Sequence, residues 1–194
     1  MKSDRKKLLD RKKMERAFAL LMEGIGLDIK SPRIKRIPAR VAEAWRTELL
    51  DGYSMDPAEI LSRTEQDSGG KLVMVKGIRF TSMCPHHLLP YSGEAHVCYV
   101  PGKRIVGLNR IVMLVDCFTH RLELQERATT LIAGSLMRYL GARGAACLME
   151  SEHTCMTKRG VKREGARVIT TSFMGELERD PHLKRILLSS INKQ

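Results

Sequence analysis

The sequence predicts an α+β protein, with an antiparallel β-sheet covered on one face by two helices and preceded by N-terminal helices. Apolar residues at helical spacing dominate the first part of the chain. Two regions of strand-like residues then surround a pair of amphipathic helices. A sheet that buries one face against helices is a common solution for this order of elements. The 194 residues are enough for one substantial core.

Residues 1–60 are expected to form a helical extension. An amphipathic pattern over residues 4–23 predicts the first helix. Pro38 can open a second helix, because its missing N–H costs nothing in a first turn. Every fourth residue of 41–49 is apolar, which gives this helix a buried stripe. A short helical turn is predicted at residues 56–57.

Residues 61–194 are expected to form the sheet domain, and no linker is long enough to divide the chain further. Residues 91–93 are interpreted as a turn because they include a serine and a glycine. The strands are predicted at residues 72–84, 94–99, 104–108, 145–151 and 166–173. The helices are predicted at residues 110–118 and 122–140 and after residue 181.

The net charge of +12 points to an anionic partner or to a well-solvated surface. The first sixteen residues hold eight basic and three acidic side chains, a net +5. A charge run of this kind is usually a solvated helix face. It can also attract a polyanion, and a nucleoside triphosphate is one. The aromatic content of 5% disfavours binding of single-stranded nucleic acid by base stacking.

Composition also limits where the protein is expected to work. No apolar run is long enough to cross a membrane. The basic N-terminus lacks the apolar stretch of a signal peptide. Five cysteines without an export signal favour reduced thiols, and so a cytoplasmic location.

Two short segments carry metal-ligating residues. Cys84 and His87 are three residues apart, and Cys155 lies far downstream. Zinc takes sulfur and nitrogen ligands, and a catalytic zinc usually has three protein ligands and one open position. His86 and His153 would then be available to move protons near neutral pH. The alternative is two buried free cysteines and a set of solvent-exposed histidines.

Several arginines are candidates for binding an anion. Arg110 follows the turn at residues 107–109 that opens a helix, where backbone amides and an arginine suit a phosphate. Arg159 follows the second cysteine segment, and Arg40 lies in the first turn of the second helix. The alternative for each is an ordinary surface arginine.

Gln125 and Glu126 lie together in an amphipathic helix. A carboxylate beside an apolar sheet can accept hydrogen bonds from N1–H and the exocyclic amino group of a guanine. The alternative is that Glu126 is an exposed partner of a residue one helical turn away.

Taken together, these motifs resemble the GTP cyclohydrolase I family over about residues 30–175. The segments that carry the resemblance are PARV at 38–41, CPHH at 84–87, GEAHV at 93–97, YVP at 99–101, VGL at 106–108, QER at 125–127, HTCM at 153–156 and RG at 159–160. The resemblance implies the tunnelling fold, in which antiparallel sheets of several subunits close into a barrel. It also implies a homodecamer of two stacked pentamers, with active sites between subunits.

The reaction implied by the resemblance opens the imidazole ring of GTP, releases C8 as formate and closes the product to 7,8-dihydroneopterin triphosphate. Zinc would be held by Cys84, His87 and Cys155, and it would activate the attacking water. His86 and His153 would protonate the purine and shuttle protons.

The resemblance also implies how the nucleotide is held. Glu126, with Gln125, would bind the guanine edge. The groups expected around the triphosphate are Arg40, Leu108, Asn109, Arg110 and Arg159.

Some positions depart from the family pattern. Ile37 replaces the usual threonine, Pro85 a glutamate, Asn109 and Arg110 a serine–lysine pair, and Met113 an arginine. Two other functions therefore stay open. One is the same zinc chemistry on another purine nucleotide, or a reaction that stops at a formamidopyrimidine product. The other is a non-catalytic, zinc-containing binding protein.

Overall fold

The computed structural model describes residues 9–66 and 69–191. Within them the chain alternates between helices and strands. The elements are α1 (Arg11–Gly24), α2 (Ile37–Ala44), α3 (Pro57–Ile60), β1 (Thr64–Gln66), β2 (Val73–Met83), β3 (Pro90–Val100), β4 (Arg104–Val106), α4 (Leu108–Thr119), α5 (Gln125–Ser135), β5 (Gly144–His153), α6 (Thr154–Thr157), β6 (Val168–Gly175), α7 (Glu176–Arg179) and α8 (Pro181–Ile191). No helix in the described part of the chain is long and apolar enough to span a bilayer.

The main sheet has four strands in the order β2-β3-β5-β6, and every neighbouring pair is antiparallel. α4 packs on β2, and α5 packs on β5 and β6. The short strands β1 and β4 form a separate antiparallel pair. The predicted α+β class, with an antiparallel sheet, two covering helices and preceding N-terminal helices, is confirmed.

The core lies between the sheet and the helix pair. Ala95, Val97 and Tyr99 of β3 are buried there, as the alternation in the sequence predicts. They meet apolar residues of α5 such as Ile132. Burial of this apolar face supplies most of the free energy that holds the helices to the sheet.

The opposite face of the sheet is apolar only at one end. There Cys98, Val100 and Ala146 pack against Leu177 of α7 and Leu187 of α8. The rest of that face is mainly polar and borders a groove of about 900 Å³. The charged and polar residues that line the groove include Arg79, Glu94, His96, Glu150, Glu152 and Arg167.

The first helix begins later than predicted. Residues 4–8 of the predicted helix lie outside the described residues, and residues 9 and 10 are not helical. Asp10 caps α1 by accepting a hydrogen bond from the Lys13 amide at 3.0 Å. α1 then packs on α2 and on the residue that follows it: the rings of Phe18 and Trp45 meet edge-to-face with centroids 5.3 Å apart.

The interpretation of residues 91–93 as a turn is wrong, because they belong to β3. Gly93 permits a close approach of two strands: a Cβ at this position would lie 1.9 Å from the Glu150 carbonyl oxygen. The chain reverses earlier, where the Cys84 amide donates to the Leu89 carbonyl at 2.8 Å. The glycine at this position is therefore explained by the close approach of two strands and not by a turn.

Two helix starts also differ from the prediction. Leu108, expected to end a strand, begins α4. The last helix of the pair was expected from residue 122 but begins at Gln125. The residues before it bond to the end of β2, since the Met83 amide donates to Arg121 O and the Glu123 amide donates to Met83 O, both at 3.3 Å. These bonds fix the position of the first turn of α5 relative to the end of β2.

Candidate metal centre and active site

The topology brings the two cysteine segments to one edge of the sheet. β2 and β5 flank β3 and are both antiparallel to it, so they run in the same direction and end together. Cys84 directly follows β2, and Cys155 lies in α6, directly after β5. The turn after Cys84 adds His87. The ligand atoms of these three residues all lie within 4.8 Å of one another.

The donor set fits zinc. Two thiols and one imidazole are typical ligands for this ion, and the three leave a fourth position open. In a tetrahedral site with usual bond lengths, a sulfur and a nitrogen ligand lie about 3.6 Å apart. Cys84 Sγ and His87 Nδ1 are 3.6 Å apart. Cys84 and Cys155 are both free thiols, so no disulfide competes with a metal.

The ionisation of the Cys155 thiol is linked to the second cysteine of the candidate metal centre. Burial and the neighbouring Cys84 thiol raise the pKa of Cys155, whereas the charge of Arg159 lowers it. Two adjacent thiols resist ionising together, and a bound cation removes that resistance. Cys98 differs, because burial in the apolar cluster raises its pKa to about 12, and within the described residues it belongs to no group of three metal-ligating side chains.

His153, the last residue of β5, is half-buried. It lies beside the sulfur–nitrogen cluster formed by Cys84, His87 and Cys155. Its ring stacks on Tyr91, with centroids 4.3 Å apart and planes at 7°. Its Nε2 lies 3.0 Å from the Gln125 Oε1. Burial lowers the pKa of His153, and the carboxylate of Glu126 opposes that shift. Burial therefore favours the neutral imidazole of His153, which has one nitrogen able to accept a proton.

His86 is exposed in the turn between β2 and β3, next to His87. The two rings meet edge-to-face with centroids 6.2 Å apart. His86 is therefore open to solvent and adjacent to one of the three candidate ligands.

Glu126 and Gln125 are neighbours in the first turn of α5 but have opposite environments. Glu126 is exposed. Gln125 is 1% exposed, and its side chain bonds within the chain to residues of β5 and β6. The carboxylate of Glu126 is therefore open to a ligand, whereas the amide of Gln125 is enclosed.

The arginines divide into two groups. Arg159 is exposed and close enough to Cys155 to shift its pKa. Arg40 on α2 and Arg110 on α4 form no hydrogen bond or ion pair with a residue of the cluster in the described parts of the chain. Arg110 Nη1 lies instead 4.0 Å from the sulfur of Met113. Leu108 and Asn109 are exposed at the start of α4.

Sequence reasoning missed Tyr91 and Ser151. Tyr91 is 1% exposed and Ser151 is fully buried, so both support the site from within. The signal for Tyr91 was present, since it shares the odd-numbered positions of Ala95, Val97 and Tyr99 in β3. No local pattern identified Ser151, because its partner lies 26 residues away along the chain.

Comparison with known proteins gives a consistent picture. The family model for GTP cyclohydrolase I matches residues 14–192. GTP cyclohydrolase 1 of Clostridium perfringens is 38% identical over 185 residues, which cover 95% of this chain and 100% of the relative. The protein of the same name from Bacillus cytotoxicus is 40% identical over 182 residues, covering 93% and 96%. That of Brucella anthropi is 42% identical over 166 residues, covering 84% and 78%.

Among solved structures, the apo crystal structure of the archaeosine synthase QueF-Like aligns with a TM-score of 0.46 and 20% identity. The alignment covers 56% of this chain and 97% of that chain.

The family match includes the whole sheet, both helices that cover it and all three residues of the sulfur–nitrogen cluster. The relatives align over most or all of their own length. The chain belongs to the GTP cyclohydrolase I family.

Proposed function

We propose that this chain converts GTP to 7,8-dihydroneopterin triphosphate with release of formate. The observation that carries the proposal is the convergence of Cys84, His87 and Cys155 next to His153 and Glu126. A metal-ligand set, a proton-exchanging imidazole and an open carboxylate are the groups that hydrolysis of a guanine ring needs.

Cys84, His87 and Cys155 would hold a zinc ion. When bound, zinc supplies Lewis-acid chemistry that activates water near neutral pH. The thiols must stay reduced for this, which fits a reducing, cytoplasmic location. The chain's own residues must then supply proton transfer, recognition of the base and binding of the phosphates.

His153 and His86 carry the proton transfers. His153 is half-buried and held by stacking and a hydrogen bond, so its ring has a fixed position. A fixed imidazole is suited to protonate a purine nitrogen as the ring opens. His86 is exposed, and it can exchange protons with solvent in the later rearrangement.

Glu126 recognises the guanine. Its two carboxylate oxygens can accept from N1–H and from the exocyclic amino group. Adenine lacks a proton at N1, so it would leave a desolvated carboxylate partly unpaired. The site should therefore reject adenine nucleotides strongly.

Arg159 approaches the phosphates from the side of the metal cluster. The exposed start of α4, with Leu108, Asn109 and Arg110, offers backbone amides and a guanidinium. Arg40 and Arg110 form no hydrogen bond or ion pair with the cluster within the described parts of one chain. We therefore assign them to the site of a neighbouring subunit.

The assembly we propose is a homodecamer of two stacked pentamers. β2 and β6 are the edges of the main sheet, with 11 and 8 residues. Long uncovered edges tend to pair with another strand, and joining sheets edge to edge closes a barrel. Residues 1–60 would form a helical extension to the catalytic unit of residues 61–194.

A second candidate function is motivated by Met113. The guanidinium of Arg110 lies against the Met113 sulfur, where the family pattern has a second cation. With fewer cations for the triphosphate, the chain could prefer another purine nucleotide, or release a formamidopyrimidine before ring closure. A non-catalytic role would leave Glu126 and His153 without a use.

The test is to incubate metal-loaded protein with GTP and follow formate and pterin together. Formate and pterin in equal amounts support the proposal. Formate without pterin, or a product that keeps its formyl group, supports the second candidate. If neither GTP nor a panel of purine nucleotides is turned over, catalysis is excluded. The same assay on the variant His153→Gln tests the proposed proton transfer. His182→Gln is its control, because His182 is exposed on α8, outside the site.

A further inference from the structure

Gln125 has no polar side-chain atom left for a substrate. Its Nε2 lies 3.0 Å from Met149 O, 3.1 Å from Val168 O and 3.1 Å from Thr170 Oγ1. Two of these partners are backbone carbonyls, which can only accept hydrogen bonds. The NH2 group must therefore face β5 and β6, and the orientation of the amide is fixed.

The carbonyl end of the same amide then faces His153. Gln125 Oε1 lies 2.5 Å from Ser151 Oγ and 3.0 Å from His153 Nε2. A carbonyl oxygen only accepts, so both neighbours must donate to it. A neutral imidazole carries one N–H, and donation from Nε2 leaves Nδ1 without a proton.

We propose that Gln125 is a positioning residue that fixes the tautomer and ring orientation of His153. His153 then exchanges its catalytic proton through Nδ1, while Nε2–H stays bonded to Gln125. The inference rests on the proposed function for the proton-transfer role of His153. It moves Gln125 out of guanine recognition and leaves Glu126 there alone.

The surroundings hold this arrangement from several sides. Thr129 Oγ1 donates to Gln125 O at 2.7 Å and lies 2.6 Å from Thr170 Oγ1, which ties the first turn of α5 to β6. Stacking on Tyr91 restricts rotation of the His153 ring. An amide with fixed donors can impose one tautomer, whereas water could serve either one.

The first test measures the tautomer directly in the wild-type protein. Magic-angle-spinning ¹⁵N spectra of histidine-labelled protein distinguish Nε2–H from Nδ1–H imidazoles, whatever the size of the assembly. There are six histidines, so the difference from His153→Gln identifies the signal. A neutral His153 with its proton on Nε2 supports the proposal, and a proton on Nδ1 overturns it. This result does not depend on turnover, so inactivity with GTP would count against the proposed function alone.

The second test is Gln125→Met, with Gln66→Met as the matched control on the exposed strand β1. A positioning role predicts a kcat lowered by roughly 10- to 100-fold. It also predicts a KM for GTP within about threefold of wild type, retained metal, and a mixture of His153 tautomers. A raised KM with unchanged kcat would show that Gln125 binds the base and would overturn the proposal. If Gln125→Met does not fold, the wild-type tautomer decides alone.

Discussion

The ring of Tyr91 stacks almost parallel on the imidazole of His153, with centroids 4.3 Å apart. The two residues are paired across β3 and β5. The Tyr91 hydroxyl donates to Glu123 O at 3.0 Å, on the segment that leads into α5. Tyr91 of β3 thus contacts both β5, which carries His153, and the segment that leads into α5, which carries Glu126. Its burial links the site to the core.

This burial predicts a loss of stability at alkaline pH. Burial raises the pKa of Tyr91 to about 12, from an ordinary value near 10. The folded state therefore binds the phenolic proton more tightly than the unfolded state does. The raised pKa of Tyr91 contributes about 2–3 kcal/mol to the free energy of unfolding. This contribution is fully present below pH 10 and is lost as the pH rises towards 12.

Denaturant unfolding of wild type and Tyr91→Phe between pH 9 and pH 12 checks this. The wild type should lose its advantage over Tyr91→Phe across that window, whereas Tyr139→Phe, which keeps Tyr91, should show the same loss as wild type. A constant difference between wild type and Tyr91→Phe at every pH would contradict the assignment. Protein concentration must be held fixed, because assembly affects apparent stability.

The cysteine cluster predicts a selective loss of metal. Cys84→Ser and Cys155→Ser each replace a soft thiolate with a hydroxyl, so zinc content after dialysis should fall from near one per chain towards zero. Cys98→Ala is the control, because Cys98 packs in the apolar cluster at the other face of the sheet. Metal analysis showing full occupancy in either serine variant would refute the ligand assignment.

The convergence of the sulfur and nitrogen groups of the candidate metal centre was predictable from the sequence. Cys84, His87 and Cys155 are of the residue types that bind zinc, and the family resemblance favoured this reading over two buried free cysteines and an exposed histidine. The strand that contains Ala95, Val97 and Tyr99 was also predictable, since alternation by two identifies a half-buried strand. In both cases the signal lies in the residue types of short segments.

Features that depend on register were not predictable. In the sequence, Gln125 is a polar residue next to Glu126, and nothing nearby indicates that it is buried. Its side chain is enclosed because β5 and β6 place Met149 O and Val168 O beside it. Gly93 was misread because a turn and a close strand contact both use the absence of Cβ. Asp10 caps a helix that the apolar pattern alone starts too early.

We expect that substitution of Glu126 weakens the binding of GTP but leaves the bound metal in place. Glu126→Gln replaces one accepting oxygen with an NH2 group, which would face a donor of the guanine. We expect kcat/KM for GTP to fall roughly 100-fold or more, mainly through KM. Zinc content and melting temperature should stay at wild-type values. Glu178→Gln, an exposed carboxylate on α7, is the control, and unaltered kinetics in Glu126→Gln would remove Glu126 from the site.

Gly93 predicts that the spacing between β3 and β5 is essential to both fold and site. In Gly93→Ala the new methyl group would lie 1.9 Å from Glu150 O and 2.6 Å from Ser151 Cα, both backbone atoms. The strands must separate, at a cost of roughly 3 kcal/mol or more. Because β5 leads to His153 and Cys155, zinc retention should fall as well.

Gly24→Ala is the matched control: nothing lies within 4 Å of its added Cβ, and alanine favours a helix by about 0.5–1 kcal/mol. Thermal unfolding should therefore show a drop of roughly 6–12 °C for Gly93→Ala and none for Gly24→Ala. Equal melting temperatures would mean that the strands accommodate a side chain at this contact.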